Sequence, residues 1–222
     1  MKPLLVEMTF DFICPWCLIG KRNLERALRA LASSRPDVPV RLHWRGVQLL
    51  PHLPAEGVPF KEFYAQRLGS EAAVQARQEQ VKDAAYHADV DIDLQRIQRM
   101  PNTANAHRLL ALAREQGSER QVDALLEQLF ASYFQRGEDL GDRELLLRLA
   151  GKCGFDPQRL EGVLHEDGRP YAGSESVPSN TAVPSFVLDR RISLAGAQPP
   201  WLMLAQLHRA LDLRPVAEAC QA

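Results

Sequence analysis

The feature that most constrains the fold of this 222-residue chain is a Cys-Pro-Trp-Cys turn set between an alternating apolar strand and an amphipathic helix. Leu4 to Phe12 alternates, with Val6, Met8, Phe10 and Phe12 on one face, the period-two pattern of a strand against a core. Cys14-Pro15-Trp16-Cys17 follows. Leu24, Ala27, Leu28 and Leu31 then recur at helical spacing with charges between them, the stripe of a helix that buries one side. Val38, Val40, Leu42 and Trp44 alternate with Arg41, His43 and Arg45, a second strand. The first 50 residues therefore read strand–helix–strand, the opening of a parallel sheet.

The placement of the two cysteines gives the turn a chemistry. Cys14 ends the strand at the predicted N-cap of the helix, and Pro15 suits the first helical position, where no backbone N–H is needed. A helix N-terminus presents unpaired N–H groups and partial positive charge, which favour the Cys14 thiolate over the thiol. The thiolate is the form that attacks a disulfide. Cys17 lies within the first turn, in reach of Cys14, and can resolve a mixed disulfide. Two other readings of the pair are an inert buried couple and half of a zinc site. Neither cysteine sits on a core stripe, and zinc needs two further ligands. The other two cysteines, Cys153 and Cys220, are remote and unpaired. Four cysteines in a chain of this length do not make a disulfide scaffold; structural or surface thiols are the expectation for Cys153 and Cys220.

The middle of the chain changes character. From Phe60 to about His165 the pattern is helical, with no convincing strand. Ser118 with Gln121 forms a capping box ahead of the stripe Val122, Leu125, Leu126, Leu129, Phe130, Tyr133 and Phe134, and Gly137 closes it. Further helices are predicted from Asn102-Thr103 to Gly117, from Asp142, and from Asp156-Pro157. Strands return at Ser185–Leu188 and Ile192–Ala195, and a last helix follows Pro199-Pro200. Val183-Pro184 stands directly before the first of these strands. A trans bond is the default for X–Pro; the dithiol elsewhere in the chain is what favours a cis bond, which would hold Val183 extended to pair with a substrate peptide.

The chain carries a net charge of −1, which gives no footprint for nucleic acid. Lys21, Arg22, Arg26 and Arg29 cluster just after the dithiol. No apolar run approaches a membrane span, and the run from Met1 to Phe12 is broken by Glu7 and lacks a cleavage pattern. A cytoplasmic location is the expectation.

Asp11-Phe12-Ile13-Cys14-Pro15-Trp16-Cys17 and Ile19-Gly20-Lys21-Arg22 resemble the FrnE-like branch of the DsbA family. So do Asn102-Thr103-x-x-Ala106-His107-Arg108-Leu109, Leu129-Phe130-x-x-Tyr133-Phe134-x-x-Gly137 and Gly196-Ala197-Gln198-Pro199. The resemblance implies an α/β, thioredoxin-like fold with an inserted all-helical domain. Residues 1–50 and 178–222 would form the thioredoxin-like domain and 51–177 the insertion. It implies Cys14 as nucleophile, Cys17 as resolving thiol and Pro184 as a cis-proline. Pro15, Trp16 and Val183 would contact substrate, joined by Asn102 and His107 of the helical domain. From the residues alone, Asn102 is as good an N-cap, His107 a satisfied helix residue, and Asp11 either a tuner of the dithiol or a polar strand end. The chain departs from these relatives at Pro178–Val183, where they are Gly-rich, and at Asp189-Arg190-Arg191, where they turn through Gly.

The reaction implied is thiol–disulfide oxidoreduction or isomerisation on protein or small-molecule disulfides. No permanently bound cofactor or metal is expected, and glutathione is admitted as reductant or substrate. The related kappa-class glutathione transferases and 2-hydroxychromene-2-carboxylate isomerases give a second reading and imply a homodimer. They usually carry Ser where this chain has Cys14, and an intact Cys-x-x-Cys favours redox cycling. A third reading is a chaperone-like binding module in which the dithiol is incidental.

Overall fold

The computed structural model describes residues 2–173 and 182–215. A four-stranded sheet has the order β2-β1-β5-β6. Strand β1 (Leu4–Phe10) is central and pairs in parallel with β2 (Val40–Gly46), from Leu4 opposite Val40 to Phe10 opposite Gly46. On its other side β1 runs antiparallel to β5 (Ser185–Leu188), which pairs antiparallel with β6 (Ile192–Ala195). The alternation explains the central position: Leu4, Val6, Met8, Phe10 and Phe12 are all fully buried. Helix α1 (Pro15–Ser34) connects the parallel pair and buries Leu24, Ala27 and Leu31. It packs against α8 (Pro200–Asp212), which follows β6 and buries Met203, Leu207 and Ala210.

Among the described residues, six α-helices lie between β2 and β5: α2 (Phe60–Leu68), α3 (Glu71–Ala88), α4 (Ala104–Gln116), α5 (Glu119–Phe134), α6 (Arg143–Lys152) and α7 (Pro157–Leu160). The caps are the predicted ones at three of them. Ser118 and Gln121 complete their reciprocal box, Asp142 accepts from the N–H groups of Glu144 and Leu145, and Asp156 accepts from Gln158 ahead of Pro157 in the first turn. One expectation is corrected. The stretch after Phe60 is not free of strand: Arg99–Met100 (β4) pairs antiparallel with Val58–Pro59 (β3). Two residues per strand carry too little alternation to register in a sequence.

Aromatic rings tie the helices to the sheet. Phe130 of α5 lies 5.7 Å from Phe10 and 5.4 Å from Phe12, centroid to centroid. An ion cluster around one buried lysine does the same from the polar side. Lys21 is wholly buried, bonds to Glu25 and to Glu127 of α5, and lies 5.3 Å over the Trp44 ring. Arg22 reaches the same two carboxylates at 2.6 and 3.2 Å. The basic cluster after the dithiol is thus partly consumed inside the fold and is not a free cationic patch.

Candidate active site

Central strand β1 delivers the chain to a tight turn at its C-terminal end. The Cys14 N–H donates to the Asp11 carbonyl at 3.2 Å, and the Cys14 carbonyl accepts from the Cys17 N–H at 2.9 Å. Cys14 is the N-cap of α1 in an extended conformation (φ −91°, ψ 106°), and Pro15 follows at the start of the helix. No side chain caps this end and no acidic residue occupies its first turn, so the helix terminus is left to whatever approaches Cys14.

Cys14 retains 7% exposure and Cys17 none; both are free thiols. Burial pushes the Cys17 thiol well above its ordinary pKa, and the neighbouring Cys14 adds to the rise. Cys17 is therefore held as a protonated thiol. The Cys14 sulfur lies 3.9 Å from the Val183 carbonyl oxygen, and the Val183–Pro184 peptide bond is cis. Gly20 makes this approach feasible, because a Cβ there would sit 3.0 Å from the Pro184 ring and 3.2 Å from Phe186. The structure thus brings Cys14, Pro15, Trp16, Cys17, Val183 and Pro184 together at one place.

Asn102 and His107 are placed differently. Asn102 is buried, with its amide saturated. It donates to the carbonyls of Leu53 (2.7 Å) and Gly168 (3.1 Å) and accepts from Gln48 (2.8 Å) and the Ala104 N–H (3.0 Å). It ties three loops together and is not the cap of α4, a position held by Thr103. His107 is buried on the underside of the turn, where its Nε2 lies 3.0 Å from an Asp11 carboxylate oxygen. The other Asp11 oxygen accepts from the Leu49 N–H at 2.7 Å. Tyr171 stacks on the imidazole at 5.3 Å. Gly46 crowds it so closely that a Cβ would fall 2.3 Å from Nδ1, and that nitrogen has no hydrogen-bond partner among the described residues.

A cavity of about 460 Å³ opens beside Cys14, Pro15 and Trp16. Helix α2 gives it Phe60, Phe63, Tyr64 and Arg67, a single face at i, i+3, i+4 and i+7. Helix α3 gives Val74, Arg77 and Val81 at the same spacing. Burial, with the Cys14 sulfur adding to it, raises the Tyr64 hydroxyl above its ordinary pKa, while Arg67 and Arg77 oppose the rise. Tyr64 therefore stays a neutral hydroxyl donor beside the dithiol. Neither α2 nor its side chains stand among the sites the sequence predicts. The available signals were the apolar spacing of Phe60, Phe63 and Tyr64 and the cap at Ser70, whose hydroxyl accepts from the Ala73 N–H.

Cys153, half-buried at the C-terminus of α6, is remote from this lining, and burial raises its thiol pKa. Cys220 and most of the Pro178–Val183 approach lie outside the described residues. Among those described, no three His, Cys, Asp or Glu side chains converge to hold a metal ion, and no helix is long and apolar enough to cross a membrane.

A strand–dithiol–helix junction on a β2-β1-β5-β6 sheet, with helices between β2 and β5, defines a thioredoxin-fold dithiol protein. The model of the DSBA-like thioredoxin domain matches residues 5–176, and the chain belongs to this family of DsbA-like thiol–disulfide oxidoreductases. A probable DsbA oxidoreductase from Streptomyces coelicolor superposes with a TM-score of 0.81 at 28% identity, covering 96% of this chain and 92% of that one. A 2-hydroxychromene-2-carboxylate isomerase superposes with a TM-score of 0.62 at 16% identity, over 95% of this chain and 100% of its own. The cytosolic disulfide reductase DsbM of Pseudomonas aeruginosa, solved with GSH, gives 0.59 at 19%, over 94% and 100%.

Proposed function

We propose that the chain is a FrnE-like thiol–disulfide oxidoreductase acting through Cys14 and Cys17, with residues 1–50 and 178–222 as its thioredoxin-like unit and 51–177 as the insertion. The observation that carries this reading is the pairing of a part-exposed Cys14 at an uncapped helix N-terminus with a sealed, protonated Cys17 one turn on. The Cys14 thiolate attacks one sulfur of a substrate disulfide; the new Cys14–substrate bond forms as the old S–S bond breaks, and the first thiolate leaves. Cys17 then gives up its proton and attacks the Cys14 sulfur. The second substrate thiolate departs, and the protein is left with a Cys14–Cys17 disulfide. Two electrons have passed to the substrate, and an external thiol such as glutathione returns them.

Pro15, Trp16, Val183 and Pro184 form the substrate-facing rim, and the Val183 backbone beside the Cys14 sulfur suits short strand pairing with a peptide. Asn102 and His107 support the turn and its loops from beneath. In a reducing cytoplasm, where we place the protein, such a dithiol works as reductase or isomerase. A glutathione-dependent isomerase is the second reading; the solved isomerase of like fold and the apolar cavity beside Cys14 favour it. Reduction of insulin disulfides with glutathione as electron donor separates the two. The wild type should reduce insulin and Cys14→Ser should lose all turnover while keeping its circular dichroism spectrum. Undiminished reduction by Cys14→Ser would contradict the proposal.

A further inference from the structure

The cavity beside Cys14 has a chemistry of its own. Its walls are largely apolar and aromatic, with Phe60, Phe63 and Val81 among them, and at about 460 Å³ it has the size of a small-molecule site. Its lining includes Arg67, Arg77 and His52 but no Asp or Glu. The acidic residues of the same helices, Glu62, Glu71, Glu79 and Asp83, lie off this face. Arg67 and Arg77 are exposed at the mouth, and neither has a carboxylate partner among the described residues. Arg67 lies over the Phe63 ring at 6.0 Å instead, a contact that holds a guanidinium next to an apolar surface. This contrasts with Lys21, Arg22 and Arg214, each of which is spent on carboxylates. Two unspent cations over an apolar pocket that reaches the nucleophile select for an occupant of opposite charge with an apolar body.

Resting on the dithiol reading above, we infer that the preferred substrate is a small disulfide whose sulfur carries an aromatic or bulky apolar group ending in a carboxylate. The ring would enter between α2 and α3, the carboxylate would meet Arg67 and Arg77, and the disulfide would lie at the Cys14 sulfur. Tyr64, a neutral hydroxyl beside that sulfur, is placed to donate a hydrogen bond to the leaving thiolate. Electrons move as already described: the Cys14–Cys17 dithiol becomes a disulfide, and two aryl thiols are released.

The test is single-turnover oxidation of the reduced full-length protein by three probes. These are the disulfide of para-mercaptobenzoate, its uncharged diamide, and glutathione disulfide, each rate being divided by that with dithiothreitol. The wild type should prefer the dicarboxylate to the diamide by about tenfold or more and should react more slowly with glutathione disulfide. The double substitution Arg67→Gln/Arg77→Gln should reduce the carboxylate preference below about threefold, and Arg67→Lys/Arg77→Lys should retain part of it. Equal normalised rates for the wild type, a preference undiminished in the Gln variant, or fastest reaction with glutathione disulfide would each overturn the inference while leaving the dithiol mechanism standing. Failure to form the Cys14–Cys17 disulfide with any probe would overturn both.

Discussion

His107 and Asp11 meet at 3.0 Å with both side chains sealed from solvent, directly beneath the turn that carries the dithiol. The contact joins α4 to the last residues before Cys14 and adds a hydrogen bond to the packing of Phe130 and His107 on Phe12. Each Asp11 oxygen is engaged, one by His107 and one by the Leu49 N–H. Asp11→Asn keeps one acceptor oxygen and turns an N–H toward the other donor. The expected loss is roughly 2 kcal/mol of stability, the scale of a mispaired buried polar group, read by urea denaturation. Combining it with His107→Leu should cost less than the sum of the two single losses. A loss below about 1 kcal/mol for Asp11→Asn would contradict the pairing.

The sealed Cys17 predicts selective chemistry. Because burial holds its pKa well above the ordinary value, iodoacetamide at neutral pH should label Cys14 and spare Cys17 by at least about a hundredfold. Peptide mapping by mass spectrometry reads the ratio directly, and comparable labelling of both cysteines in the folded protein would refute the sealed geometry.

The same burial gives the reduced protein an alkaline limit. Cys17 and Tyr133 both have folded pKa values raised well above ordinary, in each case chiefly by burial. A raised acid holds its proton in the folded state after the unfolded chain has released it. The stability is therefore complete below the unfolded value and is lost as pH climbs through the folded one. Urea midpoints should be flat up to about pH 8.5 and fall beyond it, less steeply for Cys17→Ala. A midpoint that holds steady to pH 10 would contradict this.

Lys21 predicts the opposite edge. Its charge attractions to Glu127, Glu25 and Asp123 outweigh its burial, so its pKa is raised, and those to Lys21 and Arg22 lower that of Glu127. A lowered carboxylate contributes stability above its unfolded pKa that is lost as pH falls through the folded value. Lys21→Met should cost roughly 2–3 kcal/mol at pH 7 by leaving Glu25 and Glu127 short of a cation. The difference should shrink as pH falls towards about 3 through the lowered Glu127 value. Equal losses at both pH values would show that the deficit is one of packing.

The hairpin between β5 and β6 turns through Asp189 (φ 51°) and Arg190 (φ 59°), both left-handed. Asp189 is anchored by Arg214 at 2.8 and 2.9 Å, whereas Arg190 is exposed. Glycine meets no Cβ penalty there, so Arg190→Gly should stabilise by roughly 0.5–1 kcal/mol in urea denaturation with an unchanged slope. A loss of stability would mean that this backbone is already relaxed.

Much of this molecule was legible because its signals are local. Alternation from Leu4 to Phe12, the cysteine turn and the caps at Ser118, Asp142 and Asp156 each depend on neighbours within a few residues, and each stands where those neighbours put it. The placement of Cys14 at the N-cap of α1 and of Cys17 in its first turn was legible for the same reason. Asn102 was not. Its four partners come from two loops and the first residue of α4, up to 66 residues away, and a sequence records no such closure. The cavity wall was hidden for another reason. Phe60, Tyr64, Arg67, Val74 and Arg77 lie on two weakly amphipathic helices, and only the meeting of α2 with α3 over the dithiol distinguishes them from ordinary surface helices.

The central claim is tested most directly by equilibrating the pure protein in glutathione buffers of graded potential, followed by acid quenching, alkylation and mass mapping. A reversible two-electron transition confined to a Cys14–Cys17 disulfide is the predicted result, and its midpoint sets the direction the cell can drive. A pair that stays reduced across the range, or that stops at a glutathione adduct on Cys14, would contradict dithiol cycling.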